Sequence, residues 1–227
     1  MNNIEFYNNL YHEAVTKFKT DNYQLDKLID AKDDRRFGIS LILKPDELVL
    51  KNIQGFLSQL RAVEPRQYFY PDTDIHVTVM SIITCYDGFS LDKISIEDYI
   101  NTIKKSLDSI ESFDVLFKGV TASPSCILLQ GFVKDNVLNN IRNRLRSEFM
   151  STSLEQSIDI RYVLQTAHST IVRLKEKLEE KNKFLDLVEK YRNHYFGTVK
   201  VNNIDLVYND WYQRKEKVKG LYQFPLH

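Results

Sequence analysis

His76-Val77-Thr78-Val79 and His168-Ser169-Thr170-Ile171 spell one word twice, His-x-Thr followed by a branched apolar residue, in a 227-residue chain with five histidines. Along an extended strand residues i and i+2 share a face, so each word sets an imidazole beside a hydroxyl. Two such pairs facing each other would join two groups that exchange protons near neutral pH to two neutral hydrogen-bond donors. That set suits cleavage of a phosphoester without a metal. One imidazole takes a proton from water, the other gives one to the leaving oxygen, and the hydroxyls hold the non-bridging oxygens. Only about 0.2 His-x-Thr words are expected by chance at this histidine content, so the pair carries information that either word alone does not. A single word reads equally well as a satisfied polar strand surface.

The elements needed to hold the two words are legible around them. Alternation predicts a strand over 37–43, ended by Pro45-Asp46, and a second over 75–83 whose odd positions Ile75, Val77 and Val79 face the core. Helical spacing of Ile53, Phe56, Leu57 and Leu60, and of Tyr99, Ile100, Ile103 and Leu107, predicts helices on either side of that second strand. Apolar runs at 113–121 and 126–133 around Ala122-Ser123-Pro124-Ser125 predict a hairpin. A helix with Leu138, Ile141, Leu145 and Phe149 inward and Arg142, Arg144 and Arg146 mostly outward follows. The second word lies on a strand predicted over 166–174, then a helix at Phe184, Leu185, Val188 and Tyr191, then closing strands over 197–208 and 218–224. Ile4, Tyr7, Tyr11, Val15 and Phe18 predict an amphipathic helix within an N-terminal extension of residues 1–34, placed before a single domain of residues 35–227. The mixture of interleaved strands, helices and a hairpin predicts an α+β, bilobal fold: two mostly antiparallel sheets facing a central cleft, with helices on the outside.

Composition narrows the partners. Lys+Arg and Asp+Glu are equal at 31 each, which argues against wrapping duplex DNA and permits a small phosphorylated ligand. Cys85 and Cys126 have no CxxC spacing and read as free thiols of a reducing compartment. No leader-like start or membrane-length apolar run is visible, so a cytoplasmic protein, away from membranes and monomeric, is expected.

The doubled word, its placement on two strands and the element order resemble the two-histidine (2H) phosphoesterases, among them the 2′-5′ RNA ligase-like proteins and the 2′,3′-cyclic phosphodiesterases. The resemblance spans residues 36–212 and implies a bilobal α+β fold with both words lining the cleft and no cofactor. It implies that His76 and His168 are catalytic, His168 as base and His76 as acid, and that Thr78 and Thr170 bind phosphate. Arg173, three residues after the second threonine, matches an arginine of many members and is implied as a weaker phosphate contact. The substrate implied is a cyclic phosphate or 2′-5′ phosphodiester of a nucleotide or short RNA end. The chain departs from the RNA-ligase branch in having Ala167 where proline commonly precedes the second histidine, and Met80-Ser81-Ile82 where the first strand ends in Leu-Gly.

Two other readings use different residues. Asp72, Asp74 and His76 fall at i, i+2 and i+4 and would make a metal phosphohydrolase, although this leaves the second word unexplained. Tyr208 and Trp211, with Tyr212 and the basic run Arg214, Lys215 and Lys217, would stack bases in a non-catalytic nucleotide or RNA-end binder. His12, His194 and His227 carry no motif and read as solvated positions. Chelation separates the enzyme classes: turnover by the two-histidine site is expected to be unchanged by excess EDTA, and loss of activity on chelation would point to the aspartate set instead.

Overall fold

Alternation around each word does build strands, and the strands fall into two antiparallel sheets. In the computed structural model, which describes residues 3–227, the element order is α1 (Asn3–Lys19), β1 (Arg36–Leu43), α2 (Glu47–Val63), β2 (Tyr68–Phe69), β3 (Val77–Asp87) and α3 (Ile96–Leu107). Then come β4 (Phe113–Ser123), β5 (Cys126–Val133), α4 (Val137–Met150), β6 (Ser169–Arg173), α5 (Lys181–Lys190), β7 (Tyr195–Val201), β8 (Asn203–Asp210) and β9 (Lys219–Pro225). One sheet has the order β3-β1-β8-β9 and the other β2-β6-β5-β4-β7. Helices α2 and α1 pack against the five-stranded sheet with α5 beside them, and α3 and α4 pair against the four-stranded one. The fold is thus the α+β bilobal arrangement expected.

Local chemistry explains the framework. In α2 the Asp46 side chain caps the helix by accepting from Val49 N at 2.9 Å, and Val49, Ile53, Phe56, Leu57 and Leu60 form its buried stripe. The helix stops at Glu64 (φ −130°, ψ 70°), because the proline that follows bars that residue from the helical region. On β3 the residues Val77 and Val79 are fully buried while Thr78 between them is half-exposed, the period of two that the motif needs.

Three findings differ from the sequence expectation. First, the closing strand read over 197–208 is two strands: β7 belongs to the five-stranded sheet and β8 to the four-stranded one, with Asn202 between them. The lobes are therefore not successive halves of the chain. Second, residues 3–34 are packed into the domain. Tyr7, Tyr11, Ala14 and Phe18 are buried, and Gln24 N and Asp26 N donate to Pro124 O and Leu174 O at 2.8 and 2.7 Å. Third, Arg142 does not point outward. It is 0% exposed, and its guanidinium donates to Val79 O (2.9 Å), Thr78 O (3.1 Å) and Thr166 O (2.9 Å).

Arg142 thereby ties the strand carrying the first word to the segment entering the second. Burial pushes its pKa down to about 10, which still leaves it charged at neutral pH, and the carbonyl dipoles balance that charge. Removing the fork would orphan three buried acceptors. Arg142→Leu is expected to lower the unfolding free energy by about 2–4 kcal/mol, and Arg142→Lys by less, because an ammonium reaches fewer of these oxygens. Urea denaturation reads both; a leucine variant as stable as the parent would show that the fork holds nothing together.

Candidate active site

Each histidine immediately precedes its strand, and in both cases the residue two positions earlier holds the ring. His76 Nδ1 lies 2.7 Å from the Asp74 carbonyl. A carbonyl only accepts, so the proton sits on Nδ1 and the neutral ring presents a bare Nε2. His168 Nδ1 lies 2.8 Å from the Thr166 hydroxyl. Among the described residues, neither Nε2 and neither of the Thr78 and Thr170 hydroxyls has a hydrogen-bond partner in the protein. All four side chains are half-buried.

Strand register places them. Ile42 is paired with Thr78 on one side and Asp205 on the other, and Asp205 with Gln223, so these four form a row across the four-stranded sheet. His76, Ile42, Asp205 and Gln223 line one cleft of about 620 Å³, together with Lys44, Gln213, Lys215 and Tyr222. On the other sheet Thr170 pairs with Leu128, and β6 approaches β3 directly. Gly131 of β5 lets the second word come close: a Cβ there would sit 2.0 Å from the Ala167 carbonyl oxygen. His168 itself does not line the 620 Å³ cleft.

The electrostatics hold both imidazoles neutral. Burial pushes the His76 pKa down to about 4; the bond to Asp74 O opposes this and the positive charges of Lys44 and Arg173 reinforce it. Burial likewise takes His168 down to about 4, helped by the charge of Arg142 and by His76 itself. A charge on His76 thus disfavours a proton on His168. Cationic surroundings that disfavour a proton on imidazole also favour an anion between the rings.

The remaining candidates fall in different places. Arg173 donates through Nε to the Tyr70 hydroxyl (2.9 Å) and through Nη1 to Asp26 (3.1 Å), leaving Nη2 without a protein partner among the described residues. Tyr208 pairs with Ile39 on the core side of its sheet; its ring stacks on Phe37 at 4.9 Å and its hydroxyl donates to Phe89 O. Trp211 carries the guanidinium groups of Arg161 at 4.0 Å and Arg36 at 4.8 Å from its ring centre. Asp72 is exposed in a turn, while the buried Asp74 accepts from Thr73 Oγ1 (2.7 Å) and Lys215 N (3.1 Å). Among the described residues no three His, Cys, Asp or Glu side chains gather into a metal-ligating group, so the aspartate set is not assembled with His76. Both cysteines are free thiols, as read. No helix among the described residues is long and apolar enough to cross a membrane.

Sequence reasoning missed Lys44 and Gln213 as cleft residues, and Thr166 and Arg142 as supports of the second word; Lys215 was read only in the basic run of the alternative binder. Thr166 had a usable signal, since it is the i−2 neighbour of His168 on the same strand face. Lys44 and Gln213 lie in loops and had none.

Comparison with known proteins agrees with this fold. The model of the AKAP7 2′5′ RNA ligase-like domain matches residues 37–224. None of the curated proteins matches the chain by sequence. Among solved structures, Escherichia coli LigT complexed with 3′-AMP superposes with a TM-score of 0.57 at 13% identity, covering 85% of this chain and 98% of LigT. A conserved protein of unknown function from Agrobacterium tumefaciens, ATU0111, gives 0.57 at 13% identity over 91% and 97% of the two chains. TT0787 of Thermus thermophilus gives 0.52 at 12% identity over 83% and 97%. At these identities the structural likeness speaks for the fold, while the family match spans most of the sequence. The chain belongs to the AKAP7 2′5′ RNA ligase-like domain family, within the 2H phosphoesterase superfamily.

Proposed function

We propose that this protein is a metal-independent phosphoesterase that opens a 2′,3′-cyclic phosphate or cleaves a 2′-5′ phosphodiester of a nucleotide or short RNA end. The observation that supports the reading is a pair of imidazoles with Nδ1 engaged and Nε2 without a protein partner among the described residues, each followed two positions on by an unpartnered threonine hydroxyl. His168 takes the proton of the attacking water, and His76, protonated, gives one to the leaving ribose oxygen. Thr78 and Thr170 donate to the non-bridging oxygens as charge builds on them, and Arg173 adds a positive charge next to His76. The groove running from His76 past Lys44 and Lys215 offers room and positive charge for the remainder of a nucleotide. The fold relative LigT of Escherichia coli has been crystallised with 3′-AMP and with phosphate, which supports a nucleotide phosphate as the class of ligand.

The scheme requires one protonated imidazole, and the burial of both rings disfavours it. An incoming phosphodiester anion supplies the missing counter-charge, so binding draws a proton onto one ring. A histidine whose pKa is depressed to about 4 in the free protein is protonated in a fraction that falls tenfold per pH unit above that value. Because kcat/KM reports the free enzyme, it is expected to rise as pH is lowered from about 8 to about 5. A profile flat or rising with pH over that range would remove the acid role of His76.

The direct test is turnover of a panel of 2′,3′-cyclic nucleotides and 2′-5′-linked dinucleotides, with chelator present. His76→Ala and His168→Ala are each expected to lose at least about a hundredfold in kcat/KM. Either variant keeping parental turnover would end the two-histidine scheme. Tight nucleotide binding without turnover by the parent would favour the binding-module reading.

A further inference from the structure

The two histidines are held differently. A main-chain carbonyl holds His76 and dictates its tautomer, but His168 is held by Thr166, whose hydroxyl can donate or accept. The direction of that bond decides whether Nε2 faces the cleft as a base or as a donor. A buried side chain of α1 stands nearby. Tyr7 is 1% exposed, with its ring edge-on to Phe132 at 5.5 Å and its carbonyl accepting from Thr121 Oγ1 at 2.9 Å. Its hydroxyl donates to Gly131 O (3.2 Å) and accepts from Gly131 N (3.3 Å), which sets it next to the Thr166 side chain.

We infer that Tyr7 is a positioning residue for His168, acting through Thr166. A phenol has one proton, and Tyr7 gives it to the Gly131 carbonyl. Toward Thr166 it can only accept, so the threonine proton points at Tyr7. Thr166 can then only accept from His168, which places the imidazole proton on Nδ1 and leaves Nε2 bare. The packing around the relay is close: Gly131 abuts Ala167, the residue joining Thr166 to His168, and Arg142 holds the Thr166 main-chain carbonyl. The N-terminal helix is therefore part of the catalytic machinery's support, with the first described turns of the chain setting the protonation geometry of a ring more than 150 residues away.

The consequence for turnover rests on the two-histidine reading above; the placement of the proton does not. Long-range ¹H–¹⁵N spectra of the histidine rings at neutral pH read the tautomer with no substrate present. His168 is expected to carry its proton on Nδ1 in the parent. In Tyr7→Phe the Thr166 proton is released to point at Nδ1, and the imidazole proton shifts to Nε2. In Thr166→Val the two tautomers mix, and Thr166→Ser restores the parental state. With 2′,3′-cyclic nucleotides, Tyr7→Phe is expected to lose roughly tenfold in kcat, equivalent to about 1.4 kcal/mol of barrier, with KM unchanged. An Nε2-protonated His168 in the parent, or tautomers unchanged in both Tyr7→Phe and Thr166→Val, would overturn the inference. Should Tyr7→Phe fail to fold, the parental spectrum and the Thr166 pair decide the matter. A tautomer shift in a protein that turns over no phosphoester would uphold the relay and sink only the proposed activity.

Discussion

The structure turns on one buried cation. Arg142 sends its guanidinium into the junction between the two sheets, where among the described residues it meets no carboxylate but the main-chain carbonyls of Thr78, Val79 and Thr166, with a longer contact to Asn139 Oδ1 at 3.5 Å. A flat fork with donors in fixed directions can satisfy oxygens from two chain segments at once, which an ammonium on a flexible stem does poorly. The same charge lies near His168 and disfavours a proton on it. Distance between the words and protonation of one of them are thus set by a single side chain. This links folding to chemistry: the geometry that orders the cleft also poises it for an anion.

Around that junction the two words are supported in parallel ways with unlike chemistry. Both use the i−2 residue, but one offers a main-chain oxygen and the other a hydroxyl. The first arrangement is complete within the β3 entry segment itself. The second depends on β5, α4 and α1 together, because a hydroxyl acquires a direction only from its other neighbours.

Much of this was legible in the sequence, and the gaps have physical causes. Period-two alternation revealed β1, β3 and the motif faces, since a half-buried strand writes its environment into every second residue, and continuous apolar runs around a turn revealed the β4–β5 hairpin. Arg142 sits in the helical stripe with Leu138, Ile141, Leu145 and Phe149, yet residue type argued for solvent, because a charged side chain is buried only when distant partners await it. Those partners are carbonyls, which have no signature in any sequence. The break at Asn202 left only a faint trace: burial shifts from positions 197, 199 and 201 to positions 204 and 206 across it, but no glycine or proline marks the turn. Tyr7 read correctly as an inward helical position, but its target lies 124 residues away at Gly131. The aromatic residues Tyr208 and Trp211 were placed near each other by sequence, while what covers their rings, Phe37 and two arginines, came from elsewhere in the chain.

Asn202 has a mechanical consequence. β7 ends at Val201 in one sheet and β8 starts at Asn203 in the other, so a single residue spans the lobes. Its carbonyl accepts from Leu226 N at 2.8 Å, and His227 exchanges main-chain bonds with Ile110 and Ser112 at the entry to β4. A joint this short has no slack, so the sheets cannot swing apart as lobes on a flexible tether do. The gap between them works as a fixed gauge. A molecule is measured by its thickness before any bond is tested, and one that is too wide meets elastic resistance from both sheets at once.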